Sequence, residues 1–206
     1  MKWTNKLFRV LLLLPLFWWV YLIFFGNLGA EPVKEMNHNT GFMALLYLCA
    51  NLWIGVIGAF WKWPVQLRFL IQERRFLGVL TWVILIGHLF FYIALEAFSI
   101  KGLVQIFEKT YLTFGFFAFT GMTILAATSN NFSVRKLGGK RWKLLHRCVY
   151  FVFLLVTVHI FLIEKANLFQ FTLITAPLWL GELARLGRWL RVRSRKSTGS
   201  LSPHAR

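Results

Sequence analysis

Long blocks of apolar residues, separated by short polar stretches, dominate the pattern of this chain. A soluble domain scatters its apolar residues by helix or strand period, whereas here they run together. Each block approaches the roughly 20 residues that an α-helix needs to cross the hydrocarbon core of a bilayer. The short connections make consecutive helices antiparallel neighbours in a bundle. The pattern predicts six spans, at residues 7–25, 41–60, 76–98, 111–128, 144–163 and 168–186.

The length and the C-terminal end of the chain complete this outline. A chain of 206 residues has room for one domain, and the six spans fill residues 1–193. The first apolar block has no small-residue cleavage site, so we interpret it as a retained helix. Residues 194–206 are rich in Ser and Arg, and we expect a disordered, basic, cytoplasmic tail that includes His204. The predicted fold class is an all-α membrane protein, a six-transmembrane-helix bundle.

The charge of the chain is strongly positive, with 24 Lys and Arg against 7 Asp and Glu and a formal net charge of +17. In a soluble protein this balance favours nucleic acid, but no soluble domain remains here to bind it. The basic residues instead crowd into a few loops and the C-terminus, as topology signals and attraction to anionic membrane lipid require. Both termini are therefore predicted to be cytoplasmic. The opposite, outer ends hold only Lys34, Lys101, Lys109 and Lys165.

Three of the five histidines, His88, His146 and His159, lie inside the apolar blocks. An ionisable side chain inside a bilayer is costly, and it marks function by default. With a rise of ~1.5 Å per residue, His88 lies ~18 Å and His159 ~22 Å above the cytoplasmic start of their helices. Two axial imidazoles of one haem iron require such a matched depth. Histidines also act as plain polar bridges between helices, so a non-haem transporter with structural histidines stays open.

His146 belongs to a different level of the bundle. It precedes His159 by 13 residues on the same predicted helix, which puts it ~20 Å nearer the cytoplasm and roughly 140° away around the axis. The two histidines therefore cannot serve one metal. Arg74 and Arg75 lie at the depth of His146 on the third helix. An arginine there can pair with a haem propionate or act as an unusual iron ligand, and the propionate is favoured because arginine holds its proton so firmly.

Other chemistries find little support in the sequence. Cys49 and Cys148 lie in apolar segments without C-x-x-C spacing, which argues against iron–sulfur and zinc sites. Glu96, Glu164 and Glu182 fall near helix ends, so the predicted spans contain no deep carboxylate for a proton or ion path. No Walker loop or G-x-G-x-x-G motif indicates a nucleotide-binding domain. A haem protein that moves electrons across a bilayer is thus the favoured class.

Four short motifs then carry a resemblance to a known family. They are G-A-E-P-V-K at 29–34, R-R-F-L-G at 74–78, Y-L-T-F-G at 111–115 and R-K-L-G-G-K-R-W-K-L-L-H at 135–146. Over most of its length the chain resembles the MsrQ family, the haem-binding membrane subunits of the bacterial periplasmic methionine sulfoxide reductase system MsrPQ. That family belongs to the broader group of ferric-reductase-like transmembrane domains.

The resemblance implies cofactors, partners and a location. It implies b-type haem, one or two per chain, and a flavin mononucleotide (FMN) has also been attributed to the family. Electrons are expected from the quinone pool or a cytoplasmic flavin reductase, and they pass to a periplasmic molybdenum-containing reductase, MsrP. That partner reduces methionine sulfoxide in oxidised proteins, so sulfoxide catalysis lies in the partner. The implied location is the bacterial inner membrane, which the chain crosses several times.

The resemblance also assigns roles to the histidines. His88 and His159 look like the axial pair of one haem iron. His146 looks like a ligand to, or a neighbour of, a second haem-like site nearer the cytoplasm, with Arg74 beside it. A ferric or other metal reductase is the alternative within the same class, although it would need flavin and NADPH binding from another protein.

The first outer loop is the last predicted site. It contains Glu31, Lys34 and His38, and the resemblance implies that it meets the partner or a quinone. Glu31 and Glu35 stand where the family often has Asp, which puts fine specificity in doubt. Without the family pattern, Pro32 and its neighbours are typical of an ordinary solvated turn. His38 is then either a proton donor for a quinone or a surface histidine.

Overall fold

The described part of the chain is almost entirely helical. The computed structural model describes residues 2–26, 28–96, 98–164 and 167–199, and among these residues it contains no strand. A single 3-10 turn, Val65–Leu67, precedes the third helix. The α-helices are α1 (Lys2–Phe25), α2 (Pro32–Phe60), α3 (Phe69–Leu95), α4 (Ile100–Glu108), α5 (Thr110–Ala127), α6 (Asn131–Leu137), α7 (Gly139–Arg147), α8 (Val149–Phe161) and α9 (Leu168–Gly199).

Within those residues, five segments are long and apolar enough to cross a membrane, which supports the first five predicted spans. The sixth predicted span, residues 168–186, forms the first half of α9 but is not among them. Polar and charged residues, Gln170, Glu182 and Arg185, interrupt its apolar run. The five segments are Trp3–Phe25, Pro32–Phe60, Val65–Leu95, Thr110–Ala127 and Gly139–Phe161.

Two helices begin earlier than the apolar pattern predicts. α2 starts at Pro32, so His38 lies on a helix and not in a loop as expected. Proline suits the first helical position because its missing N–H needs no partner there. α3 starts at Phe69, which brings Glu73 inside the helix, where its side chain is buried. Glu73 is therefore a buried carboxylate near the N-terminal end of α3, which the apolar pattern does not predict because it starts the third span after this residue.

Short helices occupy two predicted loops. α4 lies between the third and fourth spans, and Ser99 caps its N-terminus by accepting a hydrogen bond from the Gly102 backbone N–H at 3.1 Å. α6 follows α5, with Asn130 as its cap. α7 and α8 meet at Cys148, whose own backbone is close to helical, so the fifth span is a nearly continuous run.

Two helix pairs form the centre of the bundle. α2 packs along α3, and α5 packs along α8, while α9 lies against α2. Buried apolar side chains such as Leu52, Met122 and Phe153 fill the space between α2, α5, α8 and α9. A second cluster, with Met36 and Leu77, joins α2 and α3 to α1. α1 is mostly exposed, as expected for a helix that faces lipid on most sides.

The C-terminal end differs from the expected boundary of the tail. α9 continues through Gly199, so residues 194–199, which the sequence pattern assigns to a disordered tail, are helical. Arginine and lysine are good helix formers, and a helix that leaves the bilayer can continue into water. The rest of the predicted tail, 200–206 with His204, lies outside the described residues.

Candidate functional site

The His88 side chain is held against α2 by a pair of hydrogen bonds. Its Nδ1 lies 2.9 Å from the Asn37 backbone oxygen, and the side-chain amide of Asn37 donates to the His88 backbone oxygen at 2.9 Å. Because a carbonyl only accepts, Nδ1 must carry the proton, which leaves the Nε2 lone pair of the neutral ring available. The ring lies over Gly41, where an added Cβ would come within 2.9 Å of His88 Cε1.

His159 is held against α5 in the same way. Its Nδ1 lies 2.6 Å from the Tyr111 backbone oxygen, so it donates its proton there and keeps Nε2 available. Its ring lies over Gly115, where a Cβ would be 2.9 Å from both Cε1 and Nδ1. The Tyr111 ring adjoins the imidazole, with centroids 6.1 Å apart.

The two histidines thus repeat one arrangement on the two central helix pairs. In each, an imidazole crosses to a neighbouring helix, rests on a glycine and donates to the carbonyl four residues before that glycine. His88 and His159 are close enough to interact electrostatically, and both are half-buried. That the two rings lie at one depth of the membrane stays a prediction from the sequence. A backbone-held Nδ1 and an available Nε2 are the usual features of a metal-ligating histidine.

His146 lies on α7, at the end of the bundle that is predicted to be cytoplasmic, which we call the inner level. Its Nε2 is 3.2 Å from Thr128 Oγ1, and its ring stacks on Trp142 with centroids 4.0 Å apart. The Trp142 indole donates to the Thr128 backbone oxygen at 2.9 Å, which fixes the stack against the end of α5. The Arg75 guanidinium covers the same indole at 4.7 Å. Arg75 therefore lies beside His146, where the resemblance had implied Arg74.

Arg74 faces the other way, toward α2. Its Nε donates to Asn51 Oδ1 at 3.0 Å, and the Asn51 amide donates back to the Arg74 backbone oxygen at 2.9 Å. Consecutive helical residues point about 100° apart, which separates Arg74 from Arg75. Across the part of the chain that the structure describes, the terminal nitrogens of Arg74 make no hydrogen bond. They lie over Gly55, 3.3 Å from the position of an added Cβ.

α9 brings a second arginine to the same place. Arg185 Nη1 lies 3.1 Å from the Cβ position of Gly55, and its guanidinium covers the Tyr150 ring at 4.7 Å. Arg185 Nη2 pairs with Glu182 Oε2 at 2.8 Å. The other carboxylate oxygen of Glu182 is buried without a hydrogen-bond partner among the described residues. Two guanidinium groups and one carboxylate leave this inner cluster with one net positive charge.

The predicted outer-loop residues form no comparable site. Glu31 and Lys34 make an ion pair with each other at the exposed N-terminal end of α2. Such exposed pairs contribute little to stability. His38 is exposed on the same helix and interacts electrostatically with His88. The two histidines therefore share the end of the bundle that is predicted to face outward.

The chemistry of the site follows from its donors. No group of three or more His, Cys, Asp or Glu side chains that could hold a metal ion occurs among the described residues. A bare zinc or iron ion with protein ligands alone is therefore a poor fit. Two imidazoles with available Nε2 atoms instead suit a planar macrocycle that supplies the other four iron ligands. The inner cluster suits an anionic group.

Comparisons with known proteins agree with this class. Residues 40–157 match the family model described as the ferric reductase like transmembrane component. Together with the five apolar helices, this match, which covers more than half of the chain, defines a multi-pass membrane protein of the ferric-reductase-like class. No solved structure matches the chain.

Individual relatives narrow the family. A protein of Rhodospirillum rubrum named as the haem-binding subunit MsrQ of protein-methionine-sulfoxide reductase is 37% identical over 158 residues, which cover 76% of this chain and 74% of that protein. The protein of the same name from Salmonella arizonae is 37% identical over 161 residues, 76% of this chain and 78% of its own length. The chain belongs to the MsrQ family.

Sequence reasoning missed several residues of these clusters. Gly41 and Gly55 look like ordinary packing glycines until the structure shows what lies over them. Gly115 belongs to the Y-L-T-F-G motif, but the motif does not show that an imidazole lies over it. Asn37 and Tyr111 act through backbone oxygens, which no side-chain motif reports. Only the pair formed by Glu182 and Arg185 left a signal, since two opposite charges three residues apart interrupt an apolar helix.

Proposed function

We propose that this protein is a b-type haem subunit that carries electrons across the bacterial inner membrane. The observation that carries the proposal is the repeated arrangement of His88 and His159. Each donates its Nδ1 proton to a backbone carbonyl and lies over a glycine, which leaves its Nε2 available for a metal. Haem bound between them would supply an iron that accepts and donates single electrons. The family of the chain supports the same assignment.

The residues at the inner level support the proposal of a second haem. His146 is the proposed inner ligand or neighbour, on the same helical run as His159. Arg74 and Arg185 bring two guanidinium groups together over Gly55, with one net positive charge beside Glu182. A propionate would offset that charge, because a buried guanidinium without a counter-charge is costly. Propionate binding is therefore the proposed role of Arg74, with Arg185 as its partner from α9.

The proposed path of the electrons runs from the cytoplasm to the periplasm. The proposed donor is the quinone pool or a cytoplasmic flavin reductase, and the acceptor is an MsrP-like molybdoprotein that repairs methionine sulfoxide in periplasmic proteins. The outer end of α2, with Glu31, Lys34 and His38, is the proposed contact with the partner or a quinone. The topology that this requires has six spans, with α9 crossing the membrane and both termini in the cytoplasm. FMN remains an expectation from the family, to which we assign no residues.

An absorption spectrum of the purified protein, with haem stoichiometry, tests the proposal. We expect the spectrum of low-spin, bis-imidazole haem. His88→Ala and His159→Ala each remove an axial ligand and should abolish the outer haem, whereas His146→Ala should affect only the inner one. His38→Ala is the matched control, because this histidine is exposed and should leave the haem content unchanged. Full haem content in both His88→Ala and His159→Ala would contradict the assignment.

The same preparation separates the proposal from its alternatives. A colourless protein would favour a transporter whose histidines only bridge helices. A haem protein that reduces soluble ferric chelates, and does not pass electrons to an MsrP-like reductase, would favour a ferric reductase. The match to the ferric-reductase-like family model is the reason to test this second alternative by measuring the reduction of ferric chelates.

A further inference from the structure

A groove lies between the end of α2 and the second half of α9. Its volume is about 660 Å³, which is within the usual range of small-molecule sites. Apolar side chains, Phe60, Leu183 and Val192, line part of it, and two arginines, Arg188 and Arg191, line the rest. The groove therefore joins an apolar wall to a cluster of positive charge.

Arg188 is fixed in place at this groove. Its Nη1 donates to the Ala59 backbone oxygen at 2.6 Å, and its guanidinium covers the Phe60 ring at 5.6 Å. Ala59 is in the last turn of α2, where backbone oxygens have no partner inside the helix. The remaining N–H groups of the guanidinium stay available for an anion. Unlike a freely moving surface arginine, Arg188 is already oriented.

Gly187 leaves the groove open between the two arginines and the bundle. An added Cβ at this position would meet no atom within 4 Å, so the space is empty and not tightly packed. A large side chain can therefore fill the groove without pushing on a neighbour. This gives a way to block the groove without changing its charge.

The chemistry of the lining selects one kind of occupant. The groove lies where the basic helix ends gather, which is the side that faces the anionic inner leaflet. A phosphodiester offers oxygens that match the donors of Arg188 and Arg191. An acyl chain matches the apolar wall of Phe60, Leu183 and Val192. A free phosphate would leave that wall unused, and so would a nucleic acid.

We propose that this groove binds one anionic phospholipid of the inner leaflet, with its phosphate on Arg188 and Arg191 and an acyl chain along Phe60. The bound lipid would fasten α9 to the end of α2, one turn beyond Arg185. The proposal goes beyond electron transfer and does not depend on haem.

Lipid binding to the purified, full-length protein in zwitterionic detergent tests the proposal. Phosphatidylglycerol is titrated against phosphatidylcholine, with bound lipid counted by native mass spectrometry. We expect saturable binding of one phosphatidylglycerol. Arg188→Gln/Arg191→Gln should weaken that binding by roughly tenfold or more. Gly187→Trp should weaken it similarly with every charge retained, and the elution profile on size exclusion checks that both variants are folded.

Arg193→Gln is the matched control. It removes one charge from the same helix, at a residue that stacks on Trp189 and does not line the groove. Unchanged binding in this control supports a specific site. Equal losses in Arg193→Gln and in the double variant Arg188→Gln/Arg191→Gln, equal binding of phosphatidylcholine, or complete competition by inorganic phosphate would each overturn the proposal.

Discussion

The positions of the His88 and His159 imidazoles depend most directly on Gly41 and Gly115. Each removes a side chain where a ring from the next helix must approach, and each is four residues after the carbonyl that accepts the ring proton. Backbone atoms therefore set the orientation of both rings, and side-chain substitutions elsewhere should change that orientation little. A histidine held in this way loses less freedom when Nε2 binds a metal.

Adding one methyl group at these glycines should disturb cofactor binding. Gly41→Ala and Gly115→Ala each place a Cβ 2.9 Å from an imidazole atom, an overpacking cost of about 1–3 kcal/mol that the ring relieves by moving. We expect reduced haem content and an altered spectrum. Gly87→Ala is the control, since its Cβ meets only Thr40 Cγ2 at 3.9 Å. Normal haem in Gly115→Ala would show that the ring position is not critical.

Helices α1 and α3 show how a weakly packed element is attached. α1 is largely exposed, but Arg9 Nε and Nη2 donate to the two Glu73 oxygens at 2.6 and 3.0 Å. The Tyr47 hydroxyl donates to the Leu12 backbone oxygen at 2.6 Å. Glu73 is 1% exposed, so its carboxylate depends on Arg9 for a counter-charge. These two polar contacts thus attach α1, of which apolar packing buries only a small part, to α3 and α2.

Removing Arg9 should destabilise the bundle more than removing a neighbouring cation. Arg9→Met leaves the Glu73 carboxylate buried and unpaired, which we expect to cost about 1–3 kcal/mol. The double variant Arg9→Met/Glu73→Leu should recover most of that loss, because no buried charge remains. Thermal unfolding in detergent measures both, with Lys6→Met as the control one turn away. A double variant no better than the single one would show that the carboxylate is not the cause.

The whole molecule combines two repeated helix pairs with a one-sided distribution of charge. The pairs α2–α3 and α5–α8 hold their polar groups at two levels, the outer histidines and the inner cluster with Arg74. Basic residues gather at the inner level, where Arg185 from α9 joins it. Both features suit a bilayer, since positively charged ends favour the cytoplasmic side and buried polar groups must find partners inside the bundle.

The direction of α9 decides the topology and can be measured by labelling. In a background without Cys49 and Cys148, single cysteines are placed as Lys101→Cys, Lys140→Cys and Arg193→Cys. With six spans, a membrane-impermeant maleimide added to intact cells should label only position 101, because positions 140 and 193 face the cytoplasm. Labelling at both 101 and 193 would show five spans, with the C-terminus outside.

The sequence by itself determined the class of the protein and five segments that can cross a membrane, whereas the sixth span and the depth of the histidines stay predictions. Block length reports whether a helix crosses a bilayer, and a fixed rise per residue converts position into depth. The pairing of His88 with His159 on one haem also stays a prediction, although the structure gives both rings the same kind of backbone contact. The early start of α2 at Pro32 was not predictable, because its first turns are polar and leave no apolar signal. The early start of α3 at Phe69 was not predictable either, because Arg74 and Arg75 separate its first apolar residues from the main apolar run.

Only the tertiary structure decided which polar groups meet. It separated Arg74 from His146, placed Arg75 there instead, and brought Arg185 from the far end of the chain to Gly55. It also buried Glu73 against α1. Which face of a helix meets which neighbour depends on packing between residues distant in sequence, and a backbone carbonyl such as that of Asn37 has no side-chain signature at all. Depth follows from counting along one helix, whereas partnership requires two helices in contact.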